Sequence, residues 1–148
     1  MTKYIVTVDS NGDRRWYNES NQLHRTDGPA EEYSTGSKFW YQNGKRHRTD
    51  GPAVERADGT KFWYQNDKRH RTDGPAVEYP DGSKYWYQNN QFHRTDGPAL
   101  ELADGSKYWY LEDKEMTEAE FLKRTKAKAP CEDKVVEVDG VRYKLVAV

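Results

Sequence analysis

The sequence predicts an all-β fold: an antiparallel meander of five tandem hairpins closed by a short helix and a last hairpin. Three observations predict it. The heptad His-Arg-Thr-Asp-Gly-Pro-Ala at 24–30 recurs letter for letter at 47–53, 70–76 and 93–99, a constant spacing of 23 residues. Sixteen residues after each His stands a Trp, at Trp40, Trp63, Trp86 and Trp109, and Trp16 precedes the first His by eight. Between Ala and the next His, every unit carries two turn signals separated by an aromatic run. A fixed period of this length marks a repeat architecture in which neighbouring units bury each other's faces.

Each element of the unit has a local cause. In 75–79 a Pro opens a short strand, at a position where no ladder donor is needed. Pro80-Asp81-Gly82-Ser83 then turns the chain, Asp-Gly being the strongest short hairpin signal. Lys84-Tyr85-Trp86-Tyr87-Gln88 returns as a strand of residues that favour a pleated surface. Asn89-Asn90 turns again, as Asn43-Gly44 and Asn66-Asp67 do in the units before it. The hairpins are expected near 3–18, 29–42, 52–65, 75–88 and 98–111. Taken as a two-residue turn, Asp81-Gly82 pairs Val77 with Trp86 and Glu78 with Tyr85. One face then carries the five Trp with Val54, Val77 and Leu100, and the other carries Glu32, Glu55, Glu78 and Glu101 beside Phe and Tyr.

The core must be aromatic. Ile, Leu, Val and Phe make only 21 of 148 residues, whereas Trp, Tyr and Phe number 5, 11 and 4. Low aliphatic content signals disorder only with a large net charge and few aromatics, and here the net charge is −1. Each buried ring removes roughly 150–250 Å² from water, so rings and Lys/Arg stems replace aliphatic packing.

After residue 111 the pattern changes. Thr117 and Glu120 form a capping box for a helix over about 117–127, which Pro130 ends. Val136, Val138, Val141, Tyr143 and Leu145 alternate with polar residues around Asp139-Gly140, giving a hairpin over about 134–147. The expected organisation is a repeat array over 1–111 and a cap over 112–148, since repeat arrays need terminal elements unlike their internal units.

Asn-Gly-Lys-Arg-His at 43–47, Tyr-Pro-Asp-Gly at 79–82 and the 23-residue period resemble MORN-type repeats over about residues 4–111. The chain departs from that pattern where Arg-Thr-Asp-Gly-Pro follows each His and where Phe/Tyr-Trp-Tyr replaces a wider Tyr…Trp spacing. It is more similar to the degenerate variants in short phage and bacterial proteins, with Trp-Tyr-x-Asn-Gly and His-Arg-x-Asp-Gly-Pro-Ala units. The resemblance implies side-by-side hairpins, scaffolding and protein binding, and no catalysis.

The chemistry of the residues excludes other classes. With 24 basic and 25 acidic residues the chain lacks the basic excess of a nucleic-acid binder. No apolar stretch approaches the ~20 residues of a membrane span, and the N-terminus does not read as a signal peptide. The single cysteine, Cys131, allows no internal disulfide and fits a reducing, cytoplasmic setting. Equivalent His residues stand two strands apart, about 9–10 Å, too far to share a metal ion. No cofactor and no catalytic residue is expected, because the polar groups recur four times with identical neighbours and form no single asymmetric constellation.

His24, His47, His70 and His93, with Asp27, Asp50, Asp73 and Asp96, are assigned to holding the connections. Trp16, Trp40, Trp63, Trp86 and Trp109 are assigned to the packing. Tyr41, Tyr64, Tyr87 and Tyr110, with Arg48, Arg71 and Arg94, are the candidate partner-binding residues, since Tyr and Arg are the commonest hot-spot types. The expected function is a non-enzymatic protein-binding module, such as a phage-encoded inhibitor of a host defence protein. A nucleotide or small-molecule sponge and a self-associating scaffold are the alternatives. A homodimer could form through the sheet edge or the last hairpin.

Overall fold

The computed structural model describes residues 4–126 and the backbone of residues 135–138 and 141–144. The chain begins with β1 (Ile5–Val8) and β2 (Arg14–Tyr17). The next unit holds β3 (Glu31–Glu32), β4 (Lys38–Phe39), β5 (Tyr41–Gln42) and β6 (Lys45–Arg46). It is followed by β7 (Val54–Glu55), β8 (Lys61–Phe62), β9 (Tyr64–Gln65) and β10 (Lys68–Arg69). The same four elements return as β11 (Val77–Glu78), β12 (Lys84–Tyr85), β13 (Tyr87–Gln88) and β14 (Gln91–Phe92). Then come β15 (Leu100–Glu101), β16 (Lys107–Leu111), β17 (Lys114–Met116), α1 (Glu118–Lys126), β18 (Val135–Val138) and β19 (Val141–Lys144). An 11-stranded antiparallel sheet runs β1-β2-β3-β4-β7-β8-β11-β12-β15-β16-β17, while β5–β6, β9–β10 and β13–β14 form separate two-stranded hairpins. The expected all-β meander with a short C-terminal helix is the fold observed.

The register differs from the expected one by a single residue. Val77 pairs with Tyr85 and Glu78 with Lys84. The cause is the turn. Tyr79 N–H donates to the Ser83 carbonyl (3.0 Å) and Gly82 N–H to the Tyr79 carbonyl (3.1 Å), with Gly82 at φ +93°. Pro80-Asp81-Gly82 is therefore a three-residue loop ending in a left-handed glycine, not a two-residue turn at Asp81-Gly82. The same closure recurs at 9–13, 33–37, 56–60 and 102–106.

One residue of slip exchanges the faces. Val77 shares its face with Phe62 and Tyr85, and Glu78 shares the other with Lys61 and Lys84. The Trp side chains lie on the Glu face, not with Val54 and Val77 as expected. Arg71, bonded to Glu78 at 3.0 Å, covers the Trp63 ring at 4.1 Å.

At Trp16, Trp40, Trp63 and Trp86 the chain changes partner. Trp63 N–H donates to the Ala76 carbonyl (2.8 Å) in the main ladder, while its own carbonyl accepts from His70 N–H (3.1 Å) in the side hairpin. The side hairpins close on two-residue turns in which both residues have positive φ: Asn43 and Gly44 at 50° and 76°, Asn66 and Asp67 at 51° and 64°, Asn89 and Asn90 at 53° and 71°. Asn, Asp and Gly tolerate that conformation best. These hairpins are also bonded to one another, Asp67 N–H to the Arg46 carbonyl (3.0 Å) and Asn90 N–H to the Arg69 carbonyl (2.9 Å). A second ladder thus runs alongside the first.

The core lies between the two. Ala76, Val77 and Tyr87 are buried, with Phe62, Trp63, Tyr79, Tyr85 and Phe92 packed against them, and Ala53, Val54 and Tyr64 form the equivalent cluster one unit earlier. Tyr87 and Phe92 stack with ring centroids 4.2 Å apart and their planes at 29°. The array is covered at one end by α1, whose Phe121 is 2% exposed. Its capping box forms as expected: Glu120 N–H donates to Thr117 Oγ1 (3.3 Å) and Thr117 N–H to Glu120 Oε2 (2.9 Å). β18 and β19 pair antiparallel with Val136 opposite Tyr143. Leu145, Cys131, Pro130 and the turn at 139–140 lie outside the described residues. Among the described residues no helix is long and apolar enough to cross a membrane.

Candidate functional site

The repeated heptad forms four equivalent loops, each carrying a side hairpin back to the main ladder. Arg25, Arg48, Arg71 and Arg94 sit at their centres. Each guanidinium covers the indole of the Trp before it, Trp16, Trp40, Trp63 or Trp86, at 4.0–4.2 Å. Each Nε donates to the Asp two residues on, at 2.8–2.9 Å. One terminal nitrogen reaches the carbonyl of the following Pro at 3.1–3.3 Å. The same nitrogen reaches Glu32, Glu55, Glu78 or Glu101 at 3.0–3.5 Å. The planar fork of Arg suits this many partners, and Lys could not replace it. The loop glycine is required for the same reason. A Cβ on Gly28, Gly51, Gly74 or Gly97 would stand 2.8–2.9 Å from the guanidinium carbon.

The sequence-predicted residues therefore divide. Arg48, Arg71 and Arg94 are bound into the loops, with side chains only 19–22% exposed. Tyr64 and Tyr87 are buried between the ladders at 9% and 6% exposure, while Tyr41 and Tyr110 are half-buried. Arg46 and Arg69 cover the Tyr64 and Tyr87 rings, and Arg69 donates to the Tyr87 hydroxyl at 3.0 Å. Burial pushes the Tyr87 phenol up to about 12. Tyr110 donates to Glu115 Oε2 at 2.8 Å.

The His residues bridge one unit to the next. Nδ1 of His24, His47, His70 and His93 accepts from the backbone N–H of Asn43, Asn66, Asn89 and Glu112 at 3.0–3.3 Å. The Asp residues are the outermost groups of the loops, Asp50, Asp73 and Asp96 being 80–82% exposed. The neighbouring guanidinium holds the Asp27, Asp50 and Asp73 carboxyls below the usual carboxylate range.

Between successive loops run open grooves. One of about 560 Å³ lies between the second and third loops, lined by Thr49, Asp50, Trp63, Gln65, His70 and Asp73 among others. Its counterpart of about 530 Å³ lies between the third and fourth, with Thr72, Asp73, Trp86, Gln88, His93 and Asp96 at the same places. A further groove of about 600 Å³ separates the fourth loop from α1, where Leu111 takes the place of the Gln. Sequence reasoning missed Thr49, Thr72, Gln65 and Gln88. Their signal was present: Thr and Gln repeat in register although neither serves the turn or the core. Among the described residues no three His, Cys, Asp or Glu side chains converge as metal ligands. The two central grooves offer Thr, Gln, imidazole and guanidinium groups beside carboxylate acceptors, a set suited to recognition.

No protein-family model matches the chain, and no curated protein is similar to it.

Proposed function

We propose that the chain is a non-catalytic protein-binding module, in which two hydrogen-bonded ladders present a row of grooves, the two central ones equivalent in lining. The observation that supports this reading is the division of labour within each loop. Arg, Trp, Gly and Glu are satisfied internally, leaving Asp, Thr and Gln to face outward in a row. The MORN-like repeat and its phage setting, implied by the residues that carry the resemblance, make an inhibitor of a host protein the natural role, acting in the host cytoplasm. Balanced charge disfavours nucleic acid as the partner.

The test compares capture by the wild-type chain with capture by an Asp50→Lys/Asp73→Lys double variant of unchanged melting temperature. One stoichiometric partner, lost on the double substitution, supports the reading. Equal capture by both, or stabilisation by a nucleotide panel in place of any protein, overturns it. A second arrangement has its own observation. β1 is an edge strand whose Ile5, Val6 and Val8 are 54%, 50% and 63% exposed and carry no charge, the form of edge that pairs with a second copy. Sedimentation of a Val6→Lys variant decides whether the chain dimerises there.

A further inference from the structure

We infer that the row of grooves takes an extended polyproline-II segment carrying a basic residue at every third position. The inference rests on the protein-binding reading and names the chemistry of its partner. Its first support is a match of periods. Equivalent groups of neighbouring loops are two strands apart in the main ladder, about 9.6 Å. Three residues of polyproline II advance about 9.3 Å and complete one turn, so every third side chain returns to the same face. A β-strand covers a similar distance in three residues but turns the third side chain away, because its side chains alternate. Only the threefold helix presents one side chain to each groove in succession.

The second support is charge. Each loop brings one guanidinium against two carboxylates, as in Arg71 with Asp73 and Glu78. Arg71 is 22% exposed and Asp73 82% exposed, so the carboxylate is the more outward of the two charges. The Arg contact engages Oδ1 of Asp50 and of Asp73, leaving Oδ2 as an acceptor for a cation from outside. The third support is the groove floor. Trp63 and Trp86 line the two central grooves, each ring half-buried and covered on one face by Arg. A pyrrolidine ring packs on such an indole edge, the mode used by aromatic-lined grooves that read proline-rich segments. Polyproline II makes no internal hydrogen bonds, so its carbonyls need outside donors, and Gln65 and Gln88 line the two central grooves.

The probe is a synthetic peptide of four Pro-Pro-Arg units, titrated against the full chain with Trp fluorescence and calorimetry as readouts at physiological salt. The expected result is saturable binding that tightens at least tenfold from two units to four and is absent for four Pro-Pro-Glu units. It should weaken at least tenfold in an Asp50→Asn/Asp73→Asn variant whose melting temperature is unchanged. A peptide of alternating Pro and Arg with the same charge separates geometry from attraction. Equal binding of that peptide overturns the inference, as does the absence of binding by any peptide. If no peptide binds while the lysate partner is still lost on Asp50→Lys/Asp73→Lys, the polyproline assignment fails and the protein-binding reading stands.

Discussion

The two faces of the main ladder are made from the same 23-residue unit, and they hold together by different physics. On one face Val77, Phe62 and Tyr85 pack against Tyr87 and Phe92 of the side hairpin, and what holds them is exclusion from water. On the other, Trp63 lies under Arg71, which is tied to Asp73, Glu78 and the Pro75 carbonyl. Alternation along a strand of three aromatics, Tyr85-Trp86-Tyr87, sends the middle ring to the polar face and its neighbours to the core. The difference teaches that aromatic identity does not decide burial here. Position relative to the turn does.

The comparison can be broken hardest from the core side. Tyr87→Ala should cost about 3–5 kcal/mol, read from the shift in a urea unfolding curve, because Phe92 and Arg69 both lose their partner. The polar face should respond less. Arg71→Ala should cost about 2–3 kcal/mol, since it strips two carboxylates and a carbonyl of charge-assisted bonds. Arg71→Lys should recover less than half of that loss, because an ammonium cannot stack and fork at once. Equal stability of the Lys variant and wild type would mean that charge alone holds the loop.

Alkaline titration sharpens the comparison next. The Tyr87 phenol is raised to about 12 by burial, whereas an unfolded tyrosine ionises near ~10. The neutral form is therefore favoured in the fold, and its stabilisation is complete below pH 10. It falls away as pH rises towards 12, by roughly 2–3 kcal/mol. Tyr41 and Tyr85 are raised for the same reason and should add to the loss. Tyr87→Phe should flatten the profile in that window, as measured by denaturation at successive pH values. The smallest effect is expected at the last side turn. Glu112 and Asp113 hold φ of 54° and 62° where the equivalent turn at 43–44 has Asn-Gly. Glu112→Gly should raise stability by up to about 1 kcal/mol, visible as a small rise in melting temperature. It relieves a left-handed backbone that costs about 1–2 kcal/mol and gives back part of that gain as unfolded-chain entropy.

Much of the fold was legible because the turn chemistry is local. Asn-Gly, Asn-Asp and Asn-Asn marked the side turns, the Thr117–Glu120 pair marked α1, and the heptad marked the loops. The register was not legible, because Asp81-Gly82 is compatible with both a two-residue and a three-residue loop. The choice depends on whether Gly82 sits inside the turn or closes it. That single residue reversed the faces assigned to Trp63 and Glu78. The site was harder still. Arg71 and Tyr87 have the composition of a hot spot, but the contacts that occupy them come from residues whose proximity only the second ladder creates. Thr49 and Gln65 carry no local signature at all, and their repetition in register was the one trace of the grooves.

The backbone of Trp16, Trp40, Trp63 and Trp86 belongs to both ladders, each N–H to one and each carbonyl to the other. A pull applied to the two ends of the array would load these shared residues in turn, because each is the point at which a unit is laced to the next. Neither ladder could slide while the other stayed in place. The chain would lengthen by whole units, each releasing 23 residues, or about 80 Å of extended backbone. Such a molecule is a ruler whose graduations yield one at a time.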